Sequence, residues 1–315
     1  MEFDVIRQFF LPLSSVAQLA EGDLAIGDDG AIITPPADCQ LVVVTDTLVA
    51  GVHFPVDTAA YDIGWKALAV NLSDLAAMGA QPAFYSLALT LPQVDQAWLS
   101  SFTQGLADCA QPYHLPLIGG DTTRGPLTIS VTAQGWVPKG AALLRSGAKV
   151  GDAICVSGWM GEAGLGLSLA LSQQAAKTSA ESTALVRLNR PQARVALGVK
   201  LVGLANSAID VSDGLLADLN HILQASHLGA RLDLAAMPLS DAVQAWAGEA
   251  RLKPLCAGDD YELCFTVSPE KLPDIISLAQ ALDIKISHIG HTTAQPGLVV
   301  DEQPVHLQKL GFNHF

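Results

Sequence analysis

Apolar residues follow two alternating periodicities along the chain. Residues 41–45, LVVVT, form a continuous β-branched run, which is typical of a buried strand and ends at Thr45 and Asp46. Comparable runs predict further strands at 83–91, 115–118, 127–137, 153–157, 261–267 and 283–290. Another short strand is predicted where the segment SAIDVSDG begins.

Segments with helical spacing separate these strands. After the first strand, Leu68, Leu72 and Leu75 recur at helical intervals, with Asp62 as the predicted N-cap and Gly79 as the stop. Other helices are predicted at 1–15, 95–110 and near 269–282, and at the ends of GWMGEAGLGLS and SAIDVSDGLLADLNHIL. Strands and helices therefore alternate in both halves, which predicts two related α+β domains.

A shift in composition marks the predicted domain boundary. Residues 138–152, PKGAALLRSGAKVGD, collect proline, glycine and basic residues, which is typical of a linker. We therefore predict an N-terminal domain at 1–140 and a C-terminal domain at 148–315. Beyond the boundary, the closely spaced glycines of GWMGEAGLG favour tight helix packing over a phosphate cradle.

Composition excludes several classes of partner. The chain has 315 residues, of which 50% are hydrophobic, and its net charge of -14 disfavours binding to nucleic acid or to an anionic membrane. No uncharged apolar stretch reaches the roughly 18 residues of a membrane span. The five cysteines are scattered without a C-x-x-C motif, as in a reduced cytosolic protein. We expect a cytoplasmic protein.

Aspartate recurs beside Gly, Ser or Thr where strands end or helices begin. A single corner of this kind is usually a cap or an Asx-turn, but six of them indicate a common role. Convergent carboxylates repel one another and need divalent cations, and ligand sets of oxygen without His or Cys favour Mg²⁺ or Ca²⁺. The aspartates in question are Asp29, Asp46, Asp74, Asp121, Asp210, Asp213 and Asp259.

Mg²⁺ commonly shares its ligands with phosphates, which indicates a nucleotide. The sequence contains no P-loop and no protein-kinase signature, but the glycines of GGDTTRG would let backbone N–H groups approach a polyphosphate. Arg145 is either a phosphate clamp or a solvated linker residue. His53 is either a substrate contact or a structural histidine.

The ordered motifs resemble one protein family over essentially the whole chain. They are AIGDDG, TDTLVAGVHF, KALAVNLSDLAAMGAQP, LIGGDTTRGPL, SAIDVSDGLLADL and AGDDYELCFTV. In this order they resemble the thiamine-monophosphate kinases of bacteria, in the superfamily of aminoimidazole ribonucleotide synthetase and selenophosphate synthetase. The resemblance implies transfer of the ATP γ-phosphoryl group to thiamine monophosphate, which gives thiamine diphosphate in the final step of its biosynthesis.

The resemblance also implies a fold and an assembly. The N-terminal domain would hold ATP and Mg²⁺ and close a barrel of mixed strands across a homodimer. The C-terminal domain would be an α/β sandwich that completes the nucleotide and substrate cleft. Neither nucleic acid nor membrane is an implied partner.

Site residues follow from the same resemblance, position by position. Several Mg²⁺ ions would be bound by Asp29, Thr45, Asp46, Asp74, Asp121, Asp210 and Asp213. ATP would contact Gly120, Asp121, Arg145 and Ser212, and thiamine monophosphate would contact His53, Asp259 and Phe312. The residues expected to carry catalysis are Asp46, Asp74, Asp121 and Arg145.

Three positions depart from the family pattern. Val44 replaces a serine, so a metal contact there would use the backbone carbonyl, and Val52 replaces an asparagine. Asp259 replaces a longer glutamate, and Asp28 ranks below Asp29 as a metal ligand.

Two alternatives remain open at the level of the sequence. One is another ATP-dependent synthetase of the same superfamily, and the other is a non-catalytic module that binds divalent cations. The absence of a recognisable general base fits phosphoryl transfer, because a phosphate monoester with a second pKa of about 6 is already dianionic at neutral pH.

Overall fold

The computed structural model describes residues 2–15, 19–173 and 175–305. The chain divides into two compact units, Met1–Leu75 with Ala80–Gly140, and Ala76–Gly79 with Ala141–Phe315.

A mixed four-stranded sheet forms the centre of the first unit. Its strands follow the order β1-β4-β2-β3, in which only the pair β2 and β3 is parallel. The elements are α1 (Glu2–Val5), a π-helix (Ile6–Phe10), α2 (Leu11–Ser14), β1 (Cys39–Val49), α3 (Ala60–Ala77), β2 (Gln81–Leu91), α4 (Gln96–Ala110), β3 (Leu117–Arg124) and β4 (Thr128–Pro138).

Helices α3 and α4 cross at two glycines. A Cβ atom on Gly64 would lie 2.1 Å from the Phe102 carbonyl oxygen, and one on Gly105 would lie 2.0 Å from the Tyr61 carbonyl oxygen. The two backbones can approach this closely only because neither glycine has a side chain. This contact places Leu68 of α3 in the core, where it is fully buried.

The strand and helix predictions for the first unit hold, with two corrections. Helix α3 begins at Ala60, so Asp62 lies in its first turn instead of capping it. Strand β3 runs from Leu117 to Arg124, beyond the predicted 115–118, so most of GGDTTRG lies in a strand whose residues pair with β2. The predicted stop at Gly79 is confirmed by its φ of +68°.

A seven-stranded sheet forms the second unit, in the order β11-β10-β7-β9-β5-β8-β6. Its strands are antiparallel except where β10 meets β7. The elements are β5 (Ala153–Ser157), α5 (Glu162–Leu171), α6 (Ser179–Asn189), α7 (Val195–Leu201), β6 (Ser207–Asp210), α8 (Leu215–Ser226), β7 (Gly229–Leu232), α9 (Asp241–Ala247), β8 (Leu263–Val267), α10 (Leu272–Leu282), β9 (Ile286–Thr293), β10 (Gly297–Val300) and β11 (Gln303–Pro304).

The glycines of α5 allow close contact between this helix and its neighbours, as predicted from their spacing. A Cβ atom on Gly164 would lie 2.4 Å from the Ala257 side chain, and one on Gly166 would lie 2.3 Å from the Ala184 carbonyl oxygen. Helix α5 therefore lies directly against α6 and the segment before β8.

The prediction of two α+β domains is confirmed, since both units combine helices with a mixed sheet. Within the described part of the first unit, the sheet has open edges at β1 and β3 and is not a closed barrel. None of the described helices is long and apolar enough to cross a membrane.

Candidate functional site

A cleft of about 740 Å³ opens in the first unit, within the range of about 300–1,000 Å³ typical of small-molecule sites. The acidic turn at 27–30 and the glycine-rich part of β3 both line it. It therefore brings together three of the predicted residues, Asp29, Gly120 and Asp121, from positions 91 and 92 residues apart in the sequence.

Close packing of β3 on β2 fixes one wall of this cleft. A Cβ atom on Gly120 would lie 1.9 Å from the Leu87 carbonyl oxygen, so only glycine fits there. The next residue, Asp121, is exposed, and its Oδ1 atom accepts a hydrogen bond of 2.9 Å from the Thr122 amide. The carboxylate is thus held at the cleft surface by its own strand.

The acidic turn is also held locally. The Asp29 amide donates a 2.9 Å hydrogen bond to Oδ1 of Asp28, and both residues are exposed. Asp28 therefore orients the backbone of Asp29, and both carboxylates line the cleft.

Asn71 joins β1 to α3. Its Oδ1 atom accepts a 3.2 Å hydrogen bond from the Asp46 amide, and its Nδ2 group donates to the Ala67 carbonyl at 3.0 Å. Asp74 lies one helical turn beyond Asn71 on the same face of α3. The half-buried residues Asp46 and Asp74 therefore belong to one corner of the first unit.

Thr45 points to the other face of the sheet. Its hydroxyl lies 2.9 Å from the Thr132 hydroxyl on the exposed face, whereas Asp46 alternates to the face that contacts α3. Thr45 and Asp46 therefore cannot bind one ion through both side chains.

His53 has a structural partner in the turn that follows β1. Its Nδ1 atom accepts a 3.0 Å hydrogen bond from the Val49 amide, which places the proton of the neutral ring on Nε2. The His53 carbonyl accepts a 3.3 Å hydrogen bond from the buried Lys66 ammonium group. The turn is therefore tied both to β1 and to α3.

Two predicted motifs of the second unit are joined by backbone hydrogen bonds. The Asp259 amide donates to the Ser212 carbonyl, and the Tyr261 amide donates to the Val211 carbonyl, both at 2.8 Å. This pairing brings Ser212 and Asp213 beside Asp259, and Asp210 ends the adjoining strand β6. The structure therefore gathers these four predicted residues on one side of the second unit.

The second of these motifs has an unusual backbone. Asp259 and Tyr261 have φ angles of +70° and +48°, a region that costs of order 1–3 kcal/mol for residues with side chains. Such a conformation persists only where the surrounding structure enforces it, and here the hydrogen bonds to Val211 and Ser212 do so.

Asp218 holds the turn between β6 and α8. Its Oδ2 atom accepts hydrogen bonds of 3.0, 3.0 and 3.1 Å from the amides of Ser212, Asp213 and Gly214. Burial and the nearby Asp210 carboxylate raise the pKa of Asp218 to about 7, although the amide donors act in the opposite direction. This residue positions the predicted Ser212 and Asp213.

Two substitutions of Asp218 distinguish the loss of its hydrogen-bond acceptor from the loss of its negative charge. We expect Asp218→Ala to lower the free energy of unfolding by about 1–3 kcal/mol, because buried amides lose their acceptor. Asp218→Asn should cost less, since an amide oxygen still accepts. Urea denaturation of both variants measures the difference, and equal losses would contradict the assigned role.

Two further acids brace the loop at 257–262. Asp260 accepts hydrogen bonds of 2.7 and 3.3 Å from the amides of Gly161 and Ala163 at the start of α5, and burial raises its pKa well above the usual range. Glu262 is buried and pairs through both oxygens with Arg194. Its Oε2 atom also accepts a 2.5 Å hydrogen bond from the Ser157 hydroxyl.

The predicted residue Arg145 is exposed, and its backbone is fixed. The neighbouring Leu144 carbonyl accepts a 3.0 Å hydrogen bond from the Ala208 amide of β6, and the Arg145 carbonyl accepts one of 3.4 Å from the Ser226 hydroxyl. Arg145 therefore lies beside β6 of the second unit. The predicted Phe312 lies outside the described residues.

Among the described residues, no three His, Cys, Asp or Glu side chains lie together in a group that could hold a metal ion. Within each unit the structure relates the predicted acids in pairs, with Asp29 and Asp121 lining the cleft, Asp46 and Asp74 at the β1 corner, and Asp210 and Asp213 at one turn of the second unit.

Sequence reasoning missed the residues that brace these groups. Asp218 lies within SDGLLAD, and Asp260 and Glu262 lie within GDDYEL, so the motifs already contained them. The motifs alone do not distinguish these bracing acids from the predicted site acids, because the difference lies in hydrogen bonds to backbone amides and to Arg194 that form only in the fold. Arg194 had no signal, because its partner is 68 residues away and no local pattern links them.

The two α+β units, whose strand ends carry glycine and aspartate, correspond to the two domains of one protein family. Residues 27–137 match the family described as AIR synthase related protein, N-terminal domain. Residues 149–302 match the AIR synthase related protein, C-terminal domain.

Relatives that match over their full length indicate which member family of this broader class the chain belongs to. The thiamine-monophosphate kinase of Escherichia coli K12 is 46% identical over 100% of this chain and 98% of its own length. The crystal structure of thiamine-monophosphate kinase from Stenotrophomonas maltophilia K279a has a TM-score of 0.85 and 47% identity, and the match covers 90% of this chain and 92% of that one. The chain belongs to the thiamine-monophosphate kinase family.

A third similar structure is AaThiL complexed with AMPPCP and TMP. Its TM-score is 0.81 at 30% identity, and the match covers 92% of both chains.

Proposed function

We propose that this chain is an enzyme that transfers the γ-phosphoryl group of ATP to the phosphate of thiamine monophosphate, yielding thiamine diphosphate and ADP. The observation that carries the proposal is the cleft shared by Asp29, Gly120 and Asp121. Two carboxylates beside the glycine backbone of β3 suit a cation-bound polyphosphate. The relatives support the choice of substrates, since one was solved with the ATP analogue AMPPCP and TMP.

The donor chemistry of the candidate residues fits Mg²⁺. Asp29 and Asp121 are exposed oxygen ligands on one cleft, and none of the proposed metal-binding side chains offers nitrogen or sulfur. We assign Asp29, Asp46, Asp74, Asp121, Asp210 and Asp213 to this role. Thr45 joins them only through its backbone carbonyl, because its hydroxyl lies on the other face of the sheet. When bound, Mg²⁺ supplies charge neutralisation on the phosphates.

The chain's own residues position the substrates. The Gly120 backbone and Ser212 bind the nucleotide, and Arg145 binds a phosphate as its planar donors favour. His53 and Asp259 contact thiamine monophosphate, and Phe312 is assigned to the same substrate. The acceptor oxygen carries no proton at neutral pH, so no residue needs to act as a general base.

A direct assay tests the proposal. Purified protein with ATP, MgCl₂ and thiamine monophosphate should form thiamine diphosphate and ADP in equal amounts. Omission of MgCl₂, or replacement of thiamine monophosphate by thiamine, should abolish the product. ATP-dependent loss of thiamine monophosphate without thiamine diphosphate would instead indicate a different synthetase, and cation binding without turnover would indicate a binding module.

We also propose a homodimer formed through β1. This strand pairs with β4 along one edge of the sheet, and its exposed face carries Leu41 and Val43, which are 47% and 56% exposed. An unpaired strand edge beside apolar side chains favours association with a second copy. The barrel expected from the family would form at this edge.

Substitution on β1 tests the dimer. We expect Val43→Asp to convert the protein to a monomer, because a charge would be buried in the interface. Size-exclusion chromatography with light scattering measures the mass. Val56→Asp is the matched control, since Val56 lies outside the strands and is 81% exposed. Identical masses for the two variants would contradict the β1 interface.

A further inference from the structure

The N-terminal helical segment forms one wall of the cleft in the first unit. Ile6, Arg7, Phe10 and Leu11 line it together with the acidic turn at 27–30. Arg7 is the one basic side chain among the described residues that line this cleft. Arg7 is not among the residues proposed to bind ATP or thiamine monophosphate.

The backbone that carries Arg7 is itself unusual. Residues Ile6–Phe10 form a π-helix, a rare conformation that is found frequently at functional sites. Phe9 and Phe10 are buried and anchor the segment on the first unit. Arg7 therefore projects from a fixed wall of the cleft.

Arg7 has an exposed acidic neighbour one turn earlier in the same helical segment. Its Nη2 atom lies 3.6 Å from Oδ1 of Asp4, and both side chains are 71% exposed. Exposed pairs of this kind contribute only about 0–1 kcal/mol, so a phosphate can displace Asp4 at little cost.

The charge balance of the cleft indicates what Arg7 binds. Among the described residues that line the cleft, the other ionisable side chains are the carboxylates Asp28, Asp29 and Asp121. These carboxylates attract cations and repel a bare phosphate. A guanidinium group offers several N–H donors to phosphate oxygens with favourable geometry. We propose that Arg7 binds a phosphate group of a substrate in this cleft, a role that rests on the proposed kinase function.

Substitution of Arg7 measures this role directly. We expect Arg7→Gln to weaken binding of one phosphorylated substrate by at least about tenfold, as loss of a charged hydrogen bond implies, with little change in kcat. Arg7→Lys should retain part of the affinity. Arg251→Gln is the matched control, because Arg251 is an exposed arginine of the second unit that pairs with Asp301 at 3.6 Å.

Two measurements identify the phosphate involved. A raised KM for ATP assigns Arg7 to the phosphoryl donor, and a raised KM for thiamine monophosphate assigns it to the acceptor. Calorimetry with MgCl₂ and a non-hydrolysable ATP analogue, and separately with thiamine monophosphate, reports binding without turnover. If the wild-type protein makes no thiamine diphosphate, the kinase proposal is refuted. The calorimetric comparison of the wild type with Arg7→Gln still shows whether Arg7 binds a phosphate.

A second variant keeps the test independent of folding. Asp4→Asn removes the acidic neighbour and retains Arg7, so both affinities should stay at or above those of the wild type. The proposal is overturned if Arg7→Gln matches Arg251→Gln in both affinities. It is also overturned if Asp4→Asn, with an unchanged melting temperature, weakens binding as much as Arg7→Gln does.

Discussion

Asp121→Asn is expected to lower kcat by at least about 100-fold while the protein remains folded, a loss comparable to that seen when one charge-stabilising group is removed from an active site. Asp121 is exposed in the cleft, and the new amide oxygen can still accept the Thr122 hydrogen bond. The substitution therefore removes a negative charge with little change in packing. Steady-state formation of thiamine diphosphate measures kcat, and the melting temperature checks the fold.

The matched control is Asp57→Asn, an exposed aspartate of the first unit outside the cleft. It makes the same change in net charge and should leave kcat unaltered. Asp46→Asn and Asp74→Asn should behave like Asp121→Asn. Because weaker cation binding is the proposed cause, a higher MgCl₂ concentration should restore part of the Asp121→Asn activity. Wild-type turnover in the three cleft and corner variants would contradict the metal-ligand assignment.

Local signals in the sequence were sufficient for much of the fold. The β-branched run before Asp46 and the leucine spacing of α3 are strong patterns, and both elements form as predicted. The polar helix α6 and the four-residue strand β7 were missed, because neither has a clear periodicity. Their structure depends on contacts with other elements, since α6 lies against Gly166 of α5 and β7 pairs with β9 and β10.

Prediction of the candidate site was limited in a similar way. The spacing of glycine and aspartate marked the chain segments that line the cleft, including Asp29 and Asp121. It did not indicate that Thr45 and Asp46 point to opposite faces of β1, with Thr45 on the exposed face and Asp46 towards α3. The opposite directions follow from alternation along the strand, but which of the two residues faces α3 depends on how β1 packs and pairs in the sheet, which is a long-range property.

The buried pair of Arg194 and Glu262 gives the largest expected effect on stability. Their side chains are 13% and 4% exposed, and Glu262 also accepts the Ser157 hydrogen bond. We expect Glu262→Ala to lower the free energy of unfolding by about 3–5 kcal/mol, because it leaves the Arg194 charge uncompensated in a buried position. Urea denaturation measures this loss.

A surface pair supplies the control for this prediction. Arg231 and Glu302 also form an ion pair, but they are 50% and 80% exposed, so Glu302→Ala should cost only about 0–1 kcal/mol. The milder Glu262→Gln should stay folded and raise KM for thiamine monophosphate, because Glu262 braces the loop in which Asp259 adopts its positive φ. Equal destabilisation by Glu262→Ala and Glu302→Ala would show that the buried pair does not hold this loop.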